Sequence, residues 1–169
     1  MGVPGLTHPH HAEFLGPGQR MTHREPFDPQ VHPVYASEDA AFRDEDEEQT
    51  LDDLQTWINN IVSETWWRER WPHVRTLVVG DGRGRSYARL GLDGSLQQPH
   101  GSRYPYISIH EAVHRVDPTG TEDHGSVFAG LYIFMVWRCY GGIRARRLAR
   151  EFKKWGVVWD RVVAATGRP

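Results

Sequence analysis

The chain has 169 residues, of which 38% are hydrophobic and 25% are charged, and its formal net charge is −2. This length fits one domain with its own core and leaves little for a second, and the nearly balanced charge gives no argument for a nucleic-acid partner. The single cysteine excludes an intrachain disulfide and a cysteine-based zinc site, which leaves histidine and carboxylate side chains as candidate metal ligands.

No targeting or membrane segment is evident in the sequence. The first twenty residues lack the apolar core of a secretory signal, and Leu6 stands where a myristoylation signal requires Ser or Thr. The longest apolar run, residues 128–137, is about half of the ~20 residues that a membrane-spanning helix needs. We therefore expect a soluble cytoplasmic protein with no membrane partner.

Residues 1–33 are rich in proline, histidine and glycine and contain few aliphatic side chains. Such a segment buries too little apolar surface to offset the entropy lost on ordering, so we predict a flexible tail followed by one domain over residues 34–169. The histidines of this tail would bind a metal only weakly, and the sequence leaves open whether the tail regulates the rest of the protein.

The next elements are a helix and a small sheet. A short apolar anchor around Val34 precedes an acidic run, and apolar residues at three- and four-residue spacing then predict a helix from about Leu51 to Pro72. The stretch RTLVVGDGRGRSYARLGLDGSLQQ predicts three antiparallel strands with turns at Asp81-Gly82 and Asp93-Gly94. Its glycines do not indicate a phosphate loop, because a strand and not a helix follows them.

Three further helices complete the prediction. YISIHEAVHRV fits one helix, an almost wholly apolar helix runs from about Asp123 to Tyr140, and a basic helix follows Gly141-Gly142. We expect the basic residues of the last helix to form a solvated face. The predicted architecture is therefore α+β, with a small, mainly antiparallel sheet and about four helices.

The run His110-Glu111-Ala112-Val113-His114 carries the chemistry. Residues four apart lie on one face of a helix, so the two histidines of this HExxH motif can hold one metal ion with Glu111 beside it. Zinc in such a site lowers the pKa of a water molecule and polarises a carbonyl group, and the glutamate serves as the base. The motif predicts a zinc hydrolase with Glu111 as the catalytic residue.

A catalytic zinc ion needs a third protein ligand and keeps one position open. His124 is the favoured third ligand, because it follows His114 after nine residues that include a Pro-Gly loop able to fold back. Asp117, Glu122 and Asp123 are alternatives, although Asp123 suits the N-cap of the next helix and Asp117 suits a turn before Pro118. The sequence leaves this choice open.

Several segments together resemble a known family: VYASEDAAFR, LDDLQTWINNIVSETWWRERWP, DGRGRSYA, YISIHEAVHRV and HGSVFAGLY. They are similar to a group of small actinobacterial and phage metallohydrolases in which HExxH is followed by HGxxF, a continuation that also looks like that of SprT-type proteases. The resemblance implies a minimal zincin-like fold with His110, His114 and His124 as zinc ligands and Glu111 as the base. Val113 and Ser126 replace residues frequent in the family, and neither change removes a ligand.

The sequence thus predicts a zinc-dependent metallohydrolase, in the first place a metallopeptidase that acts on a peptide or protein. The predicted edge strand over residues 86–90 would align an extended substrate by strand addition. Two alternatives remain: a nucleic-acid-associated protein in which zinc is only structural, and a zinc hydrolase that acts on another bond. The substrate and the oligomeric state are not indicated.

Overall fold

Seven helices and one three-stranded sheet are found in residues 28–42, 46–119 and 124–168, the part of the chain that the computed structural model describes. The α+β class is confirmed, but the helices outnumber the four predicted. In chain order the elements are α1 (Val31–Phe42), α2 (Leu51–Ser63), α3 (Thr65–Arg70), β1 (Val79–Asp81), β2 (Arg89–Leu90), β3 (Leu96–Gln98), α4 (Pro105–Val116), α5 (Ser126–Tyr140), α6 (Gly142–Trp155) and α7 (Arg161–Thr166).

The additional helices have local causes. The helix predicted over residues 51–72 is divided in two, because Glu64 adopts an extended conformation with φ −62° and ψ 142°. The Thr50 hydroxyl caps α2 by accepting a hydrogen bond from the Asp53 N–H at 3.1 Å. Helix α1 begins inside the predicted tail and buries one stripe of side chains at helical spacing, namely Val34, Ser37, Glu38, Ala41 and Phe42.

The sheet differs from the predicted run of antiparallel hairpins. Its strand order is β1-β3-β2, with β1 parallel and β2 antiparallel to β3. Only the second predicted turn joins neighbouring strands, and there the Asp93 carboxylate accepts hydrogen bonds from the Ser95 N–H and hydroxyl. After β1 the chain stays beside the end of β3. Gly82 approaches Pro99 so closely there that a Cβ at position 82 would lie 2.7 Å from the proline.

Helix α5 is the centre of the core, as predicted from its apolar sequence. Its residues 128–136 are all buried, and α4, α6 and α7 pack against it. Gly141, with a φ of 86°, ends the helix where the sequence predicted. Within the described residues, no helix combines the length and the apolar character needed to cross a membrane.

Candidate metal centre

Three histidines converge where α4 meets the start of α5. Helix α4 begins with Pro105, which suits the first helical position, and places His110 and His114 one turn apart. Their Nε2 atoms are 3.1 Å apart. His124 lies two residues before α5, and its Nε2 atom is 3.0 Å from that of His110. The three side chains are therefore close enough to hold one metal ion between them.

The N-terminal part of the structure holds two of these imidazoles from behind. The Nδ1 atom of His124 is 2.6 Å from the Asp28 carboxylate, which also accepts the His124 backbone N–H at 3.0 Å. The Nδ1 atom of His110 is paired with the Glu38 carboxylate, and both side chains are buried. A carboxylate behind a ligating imidazole fixes its ring orientation and its tautomer, and it makes the ring a stronger ligand.

This pairing determines which nitrogen atoms face each other. An imidazole that donates its Nδ1 proton to a carboxylate has a lone pair on Nε2. The Nε2 atoms of His110 and His124 would then oppose two lone pairs at 3.0 Å, which repel unless a proton or a metal ion lies between them. Nitrogen atoms about 2.0–2.1 Å from one zinc ion at tetrahedral angles are about 3.3 Å apart, so the observed separations suit a shared ion.

Electrostatics keep the imidazoles of the cluster uncharged. Burial lowers the pKa of His110 to about 3 and that of His114 to about 2, so both imidazoles stay neutral at physiological pH. Burial also lowers the pKa of His124, which proximity to His110 lowers further. Asp28 therefore stays ionised beside neutral rings, and a divalent cation would offset its negative charge.

The two supporting carboxylates differ in their own surroundings. Burial raises the pKa of Glu38 to about 8. Partial burial opposes ionisation of Asp28 as well, but the hydrogen bonds from the His124 ring and backbone keep its pKa below the ordinary value. A cation beside His110 would favour the ionised form of Glu38, so the buried carboxylate and a bound metal ion stabilise each other.

Aromatic rings enclose the centre on two sides. The fully buried Phe128 ring lies 4.4–5.0 Å from all three imidazoles. The second ring is that of Tyr35 on α1, which contacts His110 and His124. Unlike Phe128, this residue is 44% exposed. Burial raises the pKa of the Tyr35 hydroxyl, and the charges of Glu38 and Glu111 raise it further, so these acidic groups lie near that hydroxyl.

The structure thus brings the three predicted histidines together, with Glu111 buried beside His110 on α4. Their roles as ligands and as base remain predictions. Asp117 is not part of the cluster, because its carboxylate accepts the Thr119 N–H at 2.9 Å in the turn that follows α4. Glu122 and Asp123 lie outside the described residues. Gly125, and not Asp123, is the N-cap residue of α5.

Sequence reasoning missed Asp28, Glu38 and Tyr35, because it assigned the first to the tail and the others to an anchor and an acidic run. A signal for Glu38 was present: this glutamate occupies an inward position in the helical stripe that begins at Val34. A carboxylate at such a position requires a buried partner. Asp28 has no comparable local signal, since its partner His124 is 96 residues away. The histidines of residues 1–27 lie outside the described residues.

Comparison of the chain with protein-family models, with curated proteins and with solved structures found no match.

Proposed function

We propose that the protein is a zinc-dependent hydrolase that cleaves a peptide or related amide bond, on a zincin-like arrangement of α4 and the start of α5. One observation carries the proposal: three imidazoles direct their Nε2 atoms at one point, and carboxylates hold two of them from behind. Three histidine ligands with no cysteine suit zinc, and a set of three leaves one coordination position for a water molecule or substrate.

A zinc ion held by His110, His114 and His124 would lower the pKa of a water molecule in its open position and polarise the scissile carbonyl group. Glu111 is the general base: its carboxylate accepts a proton from the attacking water while the water oxygen bonds to the carbonyl carbon. The π electrons of the carbonyl move to its oxygen. When the C–N bond breaks, Glu111 returns the proton to the leaving amine.

An extended peptide is the substrate class that the surroundings favour. Strand β2 lies at one edge of the sheet, and it packs against α4. The loop before β2 brings Tyr87 near enough to Tyr35 for its charge to act on the Tyr35 hydroxyl. A peptide that adds to β2 as a further strand would therefore pass close to the histidine cluster, with main-chain hydrogen bonds providing affinity.

The test combines metal analysis with hydrolysis assays on the wild type and on Glu111→Gln. The substitution keeps the size of the side chain and removes the base, so zinc should still bind at one ion per chain while hydrolysis of a fluorogenic peptide library is lost. Glu69→Gln is the matched control, because Glu69 is an exposed residue of α3. It should retain both properties.

Three results would contradict the proposal. The wild type could bind no stoichiometric zinc, which removes the metal centre. Glu111→Gln could hydrolyse as fast as the wild type, which removes the assigned base. Zinc could bind and stabilise the fold while the wild type hydrolyses no member of the library, which would indicate a structural metal.

A further inference from the structure

We propose that Tyr35 is a second catalytic residue, whose phenol hydroxyl donates a hydrogen bond to the carbonyl oxygen of the substrate and to the oxyanion that forms from it. This inference rests on the proposed function and assigns a partner to Glu111. Glu111 would handle the proton of the attacking water, and Tyr35 would stabilise the charge that develops on the carbonyl oxygen.

The position of the Tyr35 ring is the first argument. Its centroid is 5.4 Å from that of His110, with an interplanar angle of 26°, and 5.3 Å from that of His124. The centroids of the two imidazoles are 4.9 Å apart. The three rings therefore form a nearly equilateral triangle, which places Tyr35 against two of the three candidate ligands.

The contrast with Phe128 is the second argument. Both rings pack against the imidazoles, but Phe128 is fully buried, whereas Tyr35 is 44% exposed. The closed wall thus has an aromatic side chain without a polar atom, and the wall open to solvent has a phenol. Packing against histidines requires only a ring, so the ring contacts alone do not account for a hydroxyl at this position.

The chemistry of the hydroxyl is the third argument. A phenol keeps its proton at neutral pH and is both a donor and an acceptor. Glu111, the base of the proposed mechanism, directly follows His110 on α4, and the Tyr35 ring contacts the His110 imidazole. A donor that stays protonated stabilises an oxyanion without transferring its proton, and one such preorganised donor contributes about a hundredfold or more to kcat.

The experiment compares the zinc-loaded full-length wild type with Tyr35→Phe, which keeps the ring and removes only the hydroxyl. Tyr104→Phe is the matched control, because it removes a phenol hydroxyl just before α4, where the ring packs against Tyr106. Three quantities are measured: zinc stoichiometry, kcat and KM on a peptide that the wild type cleaves, and the dissociation constant of acetohydroxamate by calorimetry.

Tyr35→Phe should bind zinc at the wild-type stoichiometry. Its kcat should fall about a hundredfold with KM changed less than about threefold. Its affinity for acetohydroxamate, whose charged oxygen atoms would lie where the substrate carbonyl binds, should fall about tenfold or more. Tyr104→Phe should match the wild type in all three measurements.

The proposal is overturned if Tyr35→Phe keeps both kcat and hydroxamate affinity within about twofold of the wild type, or if it loses zinc, since that would make Tyr35 a structural residue. The hydroxamate measurement separates this failure from that of the proposed function. A wild type without hydrolytic activity contradicts the enzyme, whereas unchanged hydroxamate affinity in Tyr35→Phe contradicts the role of the hydroxyl.

Discussion

The amino end of α5 lies beside two histidine rings that are hydrogen-bonded to carboxylates. His124 and His110 are paired with Asp28 and Glu38, and their other nitrogen atoms face inward at 3.0 Å. These imidazoles carry no positive charge at neutral pH, because burial lowers their pKa. This end of the helix has lone pairs for a cation, and the ionised Asp28 carboxylate lies beside them.

At its carboxyl end the same helix meets arginines that lie on aromatic rings. The guanidinium of Arg138 is 5.0 Å from the Trp66 ring centroid and 5.3 Å from that of Trp137. The guanidinium of Arg70 is 4.5 Å from the Phe134 ring centroid. Burial lowers the pKa of Arg70, and the charges of Arg168 and Arg138 lower it further. Positive charge is crowded here, and ring faces stabilise it.

The difference shows that nitrogen-rich clusters are not equivalent. Guanidinium groups remain protonated and have no lone pair to offer, so they pack on rings as structural cations. Neutral imidazoles backed by carboxylates have the lone pairs that a metal ion requires. The charge state of each cluster, and not the number of basic residues in it, distinguishes the candidate metal centre at the amino end of α5.

Removal of the metal ion should have the largest effect on the free energy of unfolding. It should act only through the histidine cluster at the amino end of α5. Zinc at about a thousand times its dissociation constant adds about 4.1 kcal/mol to the free energy of unfolding, which raises Tm by about 10 °C in a chain of this size. A chelator should therefore lower the Tm of the wild type by that amount, as measured by calorimetry.

His110→Ala should show no such response to zinc or chelator, because it lacks the central ligand. His73→Ala is the control, since His73 is an exposed histidine after α3, and it should respond like the wild type. Equal zinc responses in His110→Ala and the wild type would place the metal elsewhere in the chain.

Glu38→Gln should have the next largest effect. The amide can still accept the His110 Nδ1 proton, but it lacks the charge that favours a bound cation. Zinc affinity should fall about ten- to hundredfold, as is usual for a residue that supports a ligand. A competitive titration with a chromogenic chelator measures this change, with Glu69→Gln as the control. An unchanged affinity would mean that Glu38 only fills the space behind His110.

Cys139, near the carboxyl end of α5, should have the smallest effect at neutral pH, where its thiol is protonated in both the folded and the unfolded chain, and the effect should not depend on metal. Burial raises the pKa of its thiol from 9.0 to about 12. The folded state thus keeps its proton in the range where the unfolded chain loses it, so the stability from this group is full below pH 9 and falls by about 1.4 kcal/mol per pH unit from there towards 12.

The same shift predicts slow thiol chemistry. At pH 8 the folded protein has roughly a thousandfold less thiolate than the unfolded chain, so an aromatic disulfide reagent should react with Cys139 far more slowly before denaturation than after it. Zinc should leave the folded-state rate unchanged. Rapid labelling of the folded protein, or a rate that follows metal content, would link the two ends of α5.

The elements with local signals could be predicted from the sequence. The α+β class, helices α4 and α5, the end of α5 at Gly141 and the three candidate histidines were all anticipated, because helical periodicity and the four-residue spacing of HExxH are short-range patterns. Most of these features depend on residues within about one helical turn of each other, whereas His124 was chosen across nine intervening residues because a Pro-Gly loop could fold back.

What the sequence did not reveal depends on distant pairing. The order of the strands follows from the way β1 runs beside β3 and not from the turn residues between β1 and β2. Helix α1 places Glu38 behind His110 and Tyr35 beside it. Both contacts join residues that are about 70 or more positions apart in the chain. A single sequence gives a position its local pattern, whereas burial among distant partners decides what that position does.

The carboxylates behind the histidines also set an order of events during synthesis of the chain. Asp28 and His124 are separated by 96 residues, and Glu38 and His110 by 72. The carboxylates of the segment that is synthesised first therefore have no histidine partners until α4 and the start of α5 have been made. Closing such long loops is slow compared with forming helices. A metal ion would meet the full set of candidate ligands and supporting carboxylates only in a chain that has emerged beyond residue 124, so metal loading would report that α1, α4 and the start of α5 have come together.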